Sequence, residues 1–158
     1  MKYIFIIILI IGSLVPIQTS ADASQPARTT DIVQSGGKRI DIDLSEQRLR
    51  YYFGDIEVNS ILISSGLPRT PTPVGEFTID KKLPFVRYMA RNRDGSIAYD
   101  FPRTKWNVRF FPKYWIHGAY WHNNFGNPMS HGCVNVAYKD MEQLYIFAEI
   151  GTKVYIHE

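Results

Sequence analysis

The sequence predicts a mainly β fold, a β-sandwich or barrel with one packed α-helix near the C-terminus. Three observations point to it. Short runs of alternating apolar and polar residues recur between turn signals. A helical period is convincing only once, after Tyr138. Prolines and glycines punctuate the segments between.

Residues 38–44 alternate, with Ile40, Ile42 and Leu44 on one face and Arg39, Asp41 and Asp43 on the other, which reads as a half-buried strand. Ser45-Glu46-Gln47 turns the chain. Residues 48–53 alternate again, Gly54-Asp55 forms a second turn, and residues 56–63 make a third strand, giving a meander of hairpins. Residues 64–75 read as a loop. Its two prolines, Pro71 and Pro73, hold the backbone extended and out of any central strand. A strand is expected over 76–81. Residues 82–105 show no clear period beyond a turn at 92–95. Strands are expected over 106–111 and 114–117, flanking Pro112, and a loop with Gly126 and Pro128 over 119–129. From 138 to 150, Met141, Leu144, Tyr145 and Ala148 recur at i, i+3, i+4 and i+7, and Gly151 sits where a glycine ends a helix. Residues 152–156 close the chain as a strand.

At 158 residues the chain is the length of one domain. Its start carries a processing signal: Lys2, an apolar run from Tyr3 to about Val15, and an A-x-A site at Ala21-Asp22-Ala23. The run is shorter than the ~20 residues that span a bilayer. The expectation is a secretory signal peptide over 1–23, a flexible linker over 24–37 and a catalytic domain over 38–158. The alternative is a signal retained as a membrane anchor. Either places the domain outside the cytoplasm, in the periplasm or cell wall. The net charge is +3, with basic residues scattered over 81–109. Such a spread suits a solvated face or a weak attraction to a polyanionic surface such as a cell wall. Without a basic stripe, no nucleic-acid partner is expected.

Cys133 is the one cysteine, so no internal disulfide can form. Taken by itself, a lone cysteine reads as a buried, inert thiol. Its surroundings argue otherwise. Residues 116–135 read I-H-G-A-Y-W-H-N-N-F-G-N-P-M-S-H-G-C-V-N and hold three of the four histidines. A cysteine nucleophile needs a base, a group that orients the base, and donors for the oxyanion. A neighbouring imidazolium would raise the thiolate fraction. The backbone N–H groups of Gly132 and Cys133 are the candidate oxyanion donors. His117 is the preferred base over His131, because a base on an adjacent strand can aim its ring at the sulfur, and the Gly118 carbonyl can fix its tautomer. His122 reads as a loop or cleft-wall histidine whose loss is mild, and His157 as exposed. The His/Cys spacings fit no standard zinc pattern, so neither a metal nor another cofactor is expected.

Ser130-His131-Gly132-Cys133-Val134-Asn135, preceded by Ile116-His117-Gly118, resembles the signature of the YkuD-type L,D-transpeptidase family: a histidine, a loop, then [S/T]-H-G-C-hydrophobic-[N/R]. The pair of strands around residues 41–49 resembles the domain's opening hairpin, and Ser65-Gly66 followed by Thr70-Pro71-Thr72-Pro73-Val74-Gly75-Glu76-Phe77 resembles its usual T-P-x-G-x-F segment. The resemblance implies cleavage of the bond between an L-centre diamino acid and the terminal D-alanine of a peptidoglycan tetrapeptide stem. A thioester forms on Cys133, and a second stem then gives a 3→3 cross-link. Water as acceptor would make the enzyme an L,D-carboxypeptidase. A wall-binding module with a vestigial site would be expected to lack the cysteine or its base. The resemblance further assigns Cys133 as nucleophile, His117 as general acid/base and the Gly118 carbonyl as its orienter. His131, Gly132 and Asn135 shape the site, and Ser130 positions the loop. Tyr120, Trp121 and Phe125 either line the substrate cleft or simply pack the loop. Carbapenems are expected to acylate Cys133.

Overall fold

The computed structural model describes residues 37–158. The expected signal peptide, and all of the expected linker except Gly37, lie outside the described residues. Nine strands form one mixed sheet that curls into a half-barrel. In chain order they are β1 (Lys38–Asp43), β2 (Arg48–Phe53), β3 (Ile56–Ser64), β4 (Gly75–Thr78), β5 (Lys81–Arg91), β6 (Ile97–Phe111), β7 (Tyr114–Ala119), β8 (Val134–Ala137) and β9 (Lys153–His157), with the helix α1 (Tyr138–Phe147) between β8 and β9. Across the sheet they run β4-β9-β1-β2-β3-β8-β7-β6-β5.

The meander β1–β2–β3 forms as its alternation predicts. Ile42 pairs with Leu49 and Ile40 with Tyr51, so apolar faces apolar on the core side of the ladder. The first turn is held by the Asp43 carboxylate, which accepts hydrogen bonds from the Ser45 hydroxyl and the Glu46 N–H. β9 enters between β4 and β1, parallel to β1 and antiparallel to β4, so the C-terminal strand joins the first strand to the edge. On the other half, β8 lies between β3, antiparallel, and β7, parallel. The curl brings the β4 edge back toward β6, where Phe77 packs edge-on to Phe110 at 5.3 Å.

Three expectations need correction. The strand expected over 76–81 is two strands: the chain leaves β4 after Thr78, buries Ile79, and starts β5 at Lys81. The unreadable stretch 82–105 is a long hairpin. Its β5–β6 ladder carries aromatic residues on one face (Tyr88, Tyr99, Phe101) and mixes exposed Phe85 and Met89 with the Arg87–Asp100 ion pair on the other, so apolar residues stand on both faces and the alternation vanishes. The helix stops at Phe147 rather than at 150. The Lys82 ammonium donates to the carbonyls of Tyr145 and Ala148, taking up helix-end acceptors from another strand, and Gly151 (φ +96°) serves the turn into β9.

α1 buries Met141 and Leu144 against β6, β7 and β8. Each such side chain contributes about 1.5–3 kcal/mol of burial. The core they join includes Ile40, Ile63, Ile116, Val134, Val136 and Val154, all fully buried. It fixes β7, which holds His117, and β8, which directly follows Cys133.

Candidate active site

β7 and β8 run parallel with Ile116 opposite Val134 and His117 opposite Asn135. Successive side chains on a strand point to opposite faces. Ile116, Val134 and Val136 therefore enter the core, while His117, Asn135 and Cys133, which just precedes β8, face a cleft of ≈ 310 Å³. The sequence places a histidine and a cysteine on separate segments; the register sets them on one face, with Cys133 two residues before Asn135, the partner of His117.

His117 is almost wholly buried, at 3% exposure. Its Nδ1 lies 3.0 Å from the Gly118 carbonyl oxygen. A carbonyl only accepts, so Nδ1 carries the proton and Nε2 holds the free lone pair. Gly118 is glycine because a Cβ there would collide with the Tyr138 ring. The Tyr88 ring stacks on His117 at 4.4 Å and is itself tethered by a hydrogen bond from its hydroxyl to Asn107 Oδ1 (3.0 Å). This packing strips water from the imidazole, and burial drives its pKa down to about 4, against a smaller upward pull from the Gly118 carbonyl.

Cys133 is partly buried, and its thiol faces the Lys113 carbonyl at 3.9 Å. Burial pushes the thiol up to about 11, and a backbone hydrogen bond from Trp115 only partly offsets it. Burial thus disfavours the charged form of both groups. An imidazolium beside the thiol would have to overcome the burial of both groups.

The Ser130–Cys133 turn is shaped locally and clamped from outside. The Ser130 hydroxyl donates to the Cys133 carbonyl and accepts the Gly132 N–H at 3.0 Å. Gly132 sits at φ +111°, where a side chain is strained, and a Cβ would meet the Tyr114 ring at 2.6 Å. Its N–H is committed to Ser130, so of the two expected oxyanion donors only the Cys133 N–H remains in this conformation. The 64–75 loop does the clamping. The Thr72 hydroxyl donates to the Gly132 carbonyl (3.0 Å) and accepts the Gly66 N–H (2.9 Å), and the Leu67 N–H donates to the Ser130 carbonyl (2.9 Å). Ser65 O accepts the N–H groups of Met129 and Ser130, while Ser65 is held in turn by the buried Gln47 amide.

His131 lies at the exposed rim, with its ring 5.3 Å from Tyr99. Trp121 lines the cleft, stacked on Phe101 at 3.8 Å and 5°. Tyr120 does not line it: it is 51% exposed and packs edge-on to Tyr138. Phe125 also lies outside the lining, against His122 at 4.8 Å. His122 does line the cleft and touches Asn135. His157 pairs with Asp41 at the far end of the sheet.

Sequence reasoning missed the hairpin aromatics Tyr88, Tyr99 and Phe101, which wall the cleft, and the clamp residues Gln47, Ser65 and Thr72. The aromatics stood in a segment with no readable period. Ser65 and Thr72 stood inside the stretch that resembles the family's T-P-x-G-x-F segment, and that likeness was the only signal for their place at the site.

Residues 37–156 match the family model described as the L,D-transpeptidase catalytic domain, YkuD. No curated protein matches the sequence. Among solved structures, an L,D-transpeptidase from Mycobacterium smegmatis superposes with a TM-score of 0.71 at 22% identity, covering 78% of this chain and 59% of that one. L,D-transpeptidase 3 from Mycobacterium tuberculosis, solved with a faropenem-derived adduct, gives 0.70 at 23%, covering 78% and 61%. The catalytic domain of the Enterococcus faecium L,D-transpeptidase gives 0.66 at 29%, covering 77% of this chain and 98% of that domain. The chain thus spans about three fifths of the two mycobacterial chains and nearly all of the isolated catalytic domain.

Proposed function

The chain belongs to the YkuD family of L,D-transpeptidase catalytic domains, and on that premise we propose that it is an exported enzyme that forms 3→3 cross-links in peptidoglycan through a thioester on Cys133. The donor is a tetrapeptide stem and the leaving group its terminal D-alanine. The observation that carries the reading is the His117 ring, whose Nδ1–H is fixed on the Gly118 carbonyl while it shares the cleft with Cys133.

The chemistry follows from that geometry. His117 Nε2 takes the thiol proton as sulfur attacks the carbonyl of the L-centre residue, because neither group is charged beforehand. The tetrahedral oxyanion lies against the Cys133 N–H. His117 returns the proton to the D-alanine amine, which departs and leaves the thioester. The amine of a second stem then attacks, His117 takes its proton, and the thiol is restored. Water in place of that amine releases a tripeptide, the L,D-carboxypeptidase outcome. The export signal expected over 1–23 supports a site of action where peptidoglycan lies. The β-lactam-type adduct in the M. tuberculosis relative supports acylation of Cys133 by carbapenems.

Purified enzyme incubated with tetrapeptide muropeptides is expected to yield cross-linked dimers and free D-alanine. Tripeptides alone would replace transfer with hydrolysis. Activity retained by Cys133→Ala would overturn the mechanism.

A further inference from the structure

His122 lies in the loop between β7 and β8, beside Trp121 and against Phe125, and the mechanism above leaves it unused. Both of its ring nitrogens have partners. The backbone N–H of Asn124 points at Nδ1 at 3.2 Å. An amide N–H only donates, so Nδ1 is unprotonated, and the proton of the neutral ring resides on Nε2. Burial lowers the His122 pKa, which keeps the ring neutral. Nε2–H is therefore a donor, and its partner, 3.2 Å away, is the side-chain amide of Asn135. Two donors cannot share that contact. The oxygen and nitrogen of an asparagine amide are exchanged by a flip, and the network decides between them. Asn135 must turn Oδ1 toward His122, and its NH2 is turned away from the imidazole.

Asn135 is 3% exposed, pairs in register with His117, and lies on the same face as Cys133. The Gly132 N–H is already engaged by Ser130 and is not free to receive a substrate oxygen. We propose that His122 is a positioning residue: its tautomer, set by the Asn124 backbone, holds the Asn135 amide with its NH2 directed into the cleft as a hydrogen-bond donor to a carbonyl or carboxylate oxygen of the acyl donor. This rests on the acyl-transfer reading above. It assigns His122 a role in substrate orientation that a cleft-wall histidine lacks.

Three measurements test it. Nitrogen NMR of histidine-labelled protein should show His122 as the Nε2–H tautomer; the Nδ1–H tautomer overturns the proposal. His122→Phe keeps an aromatic ring against Phe125 but removes both hydrogen bonds. It should lower the second-order rate of Cys133 acylation by imipenem at least about tenfold, with the thermal midpoint unchanged. An unchanged rate overturns the proposal. In a double-mutant cycle, His122→Phe with Asn135→Ala should be no slower than Asn135→Ala alone, whereas additive losses would show that the two act separately. Wild-type protein that fails to acylate would instead sink the acyl-transfer reading, and the NMR tautomer would still decide the positioning of Asn135.

Discussion

Burial moves the two reacting groups in opposite senses, the His117 imidazole down to about 4 and the Cys133 thiol up to about 11. At neutral pH the thiolate fraction is then far below the few per cent of an ordinary cysteine. Simple alkylation, which needs a thiolate, should be roughly two orders of magnitude slower at pH 7 than for an exposed cysteine, and should still be rising above pH 9. Acylation by substrate or a carbapenem should not share that profile if, as proposed, His117 removes the proton during attack; its rate should then be flat across neutral pH. Parallel pH profiles with iodoacetamide and imipenem check this, and two coincident curves would restore the ion-pair description. His117→Ala should cost ~10²–10⁴ in acylation, as loss of a general base does. The same shifts act on stability. His117 resists protonation when folded, so native stability is complete above the ordinary histidine value of 6.5 and is lost as pH falls toward about 4. Cys133 has the reverse sign: its contribution holds below the ordinary thiol value of 9.0 and is lost as pH rises toward about 11. Urea midpoints should decline at both ends, and His117→Gln should flatten the acid limb only.

At the scale of elements, the Ser130–Cys133 turn owes its shape to a loop with no regular structure. Thr72 is buried and bonds the Gly66 N–H and the Gly132 carbonyl at once. Thr72→Val keeps the volume and leaves both groups unpaired, which should cost ~1–3 kcal/mol in urea unfolding. It should also slow acylation, because Gly132 would no longer hold Cys133 in place. Destabilisation with acylation unchanged would mean that Ser130 alone shapes the turn. The legibility of the elements follows their surroundings. β1, β2 and β3 were readable because one face meets the core and the other meets water. The β5–β6 hairpin was not, because its two faces meet a cleft and solvent rather than core and solvent, and both bear aromatic or aliphatic residues. The helix was readable from Met141, Leu144 and Ala148, but its end was not. A lysine 63 residues away in sequence from Tyr145 supplies the helix-end donor, and no local pattern carries that. The H-G and S-H-G-C segments were legible as residues. The burial of the pair, the occupied Gly132 N–H and the outward Tyr120 depend on packing that spacing does not record.

Over the whole molecule, charge is unevenly placed. Between Lys81 and Arg109 stand eight basic residues against Asp94 and Asp100, in a chain whose total is only +3, so the remainder is net acidic. In sequence these bases look scattered; the fold gathers them on the β5–β6 hairpin, whose inner face walls the cleft. Several are matched locally: Arg87 by Asp100, Arg109 by Asp80, and Lys82 by the end of α1. Arg93 and Arg103 are exposed, with Arg103 laid over the Phe85 ring. The inner face is aromatic, so these cations act on approach rather than on bound substrate. The proposed donor, a peptidoglycan stem, carries free carboxylates, and a basic arm beside the cleft would concentrate such anions near its mouth. Charge of this kind affects encounter, and it is screened over roughly 10 Å at 0.1 M salt. Raising NaCl from about 0.05 to about 0.3 M should therefore lower kcat/KM severalfold while leaving kcat nearly constant. Arg93→Glu with Arg103→Glu should reduce kcat/KM at low salt and flatten that dependence, again without changing kcat. Initial rates with muropeptides across a salt series measure both. A kcat that falls together with kcat/KM in the variant would place the hairpin charges on the bound substrate instead of on its path to the cleft.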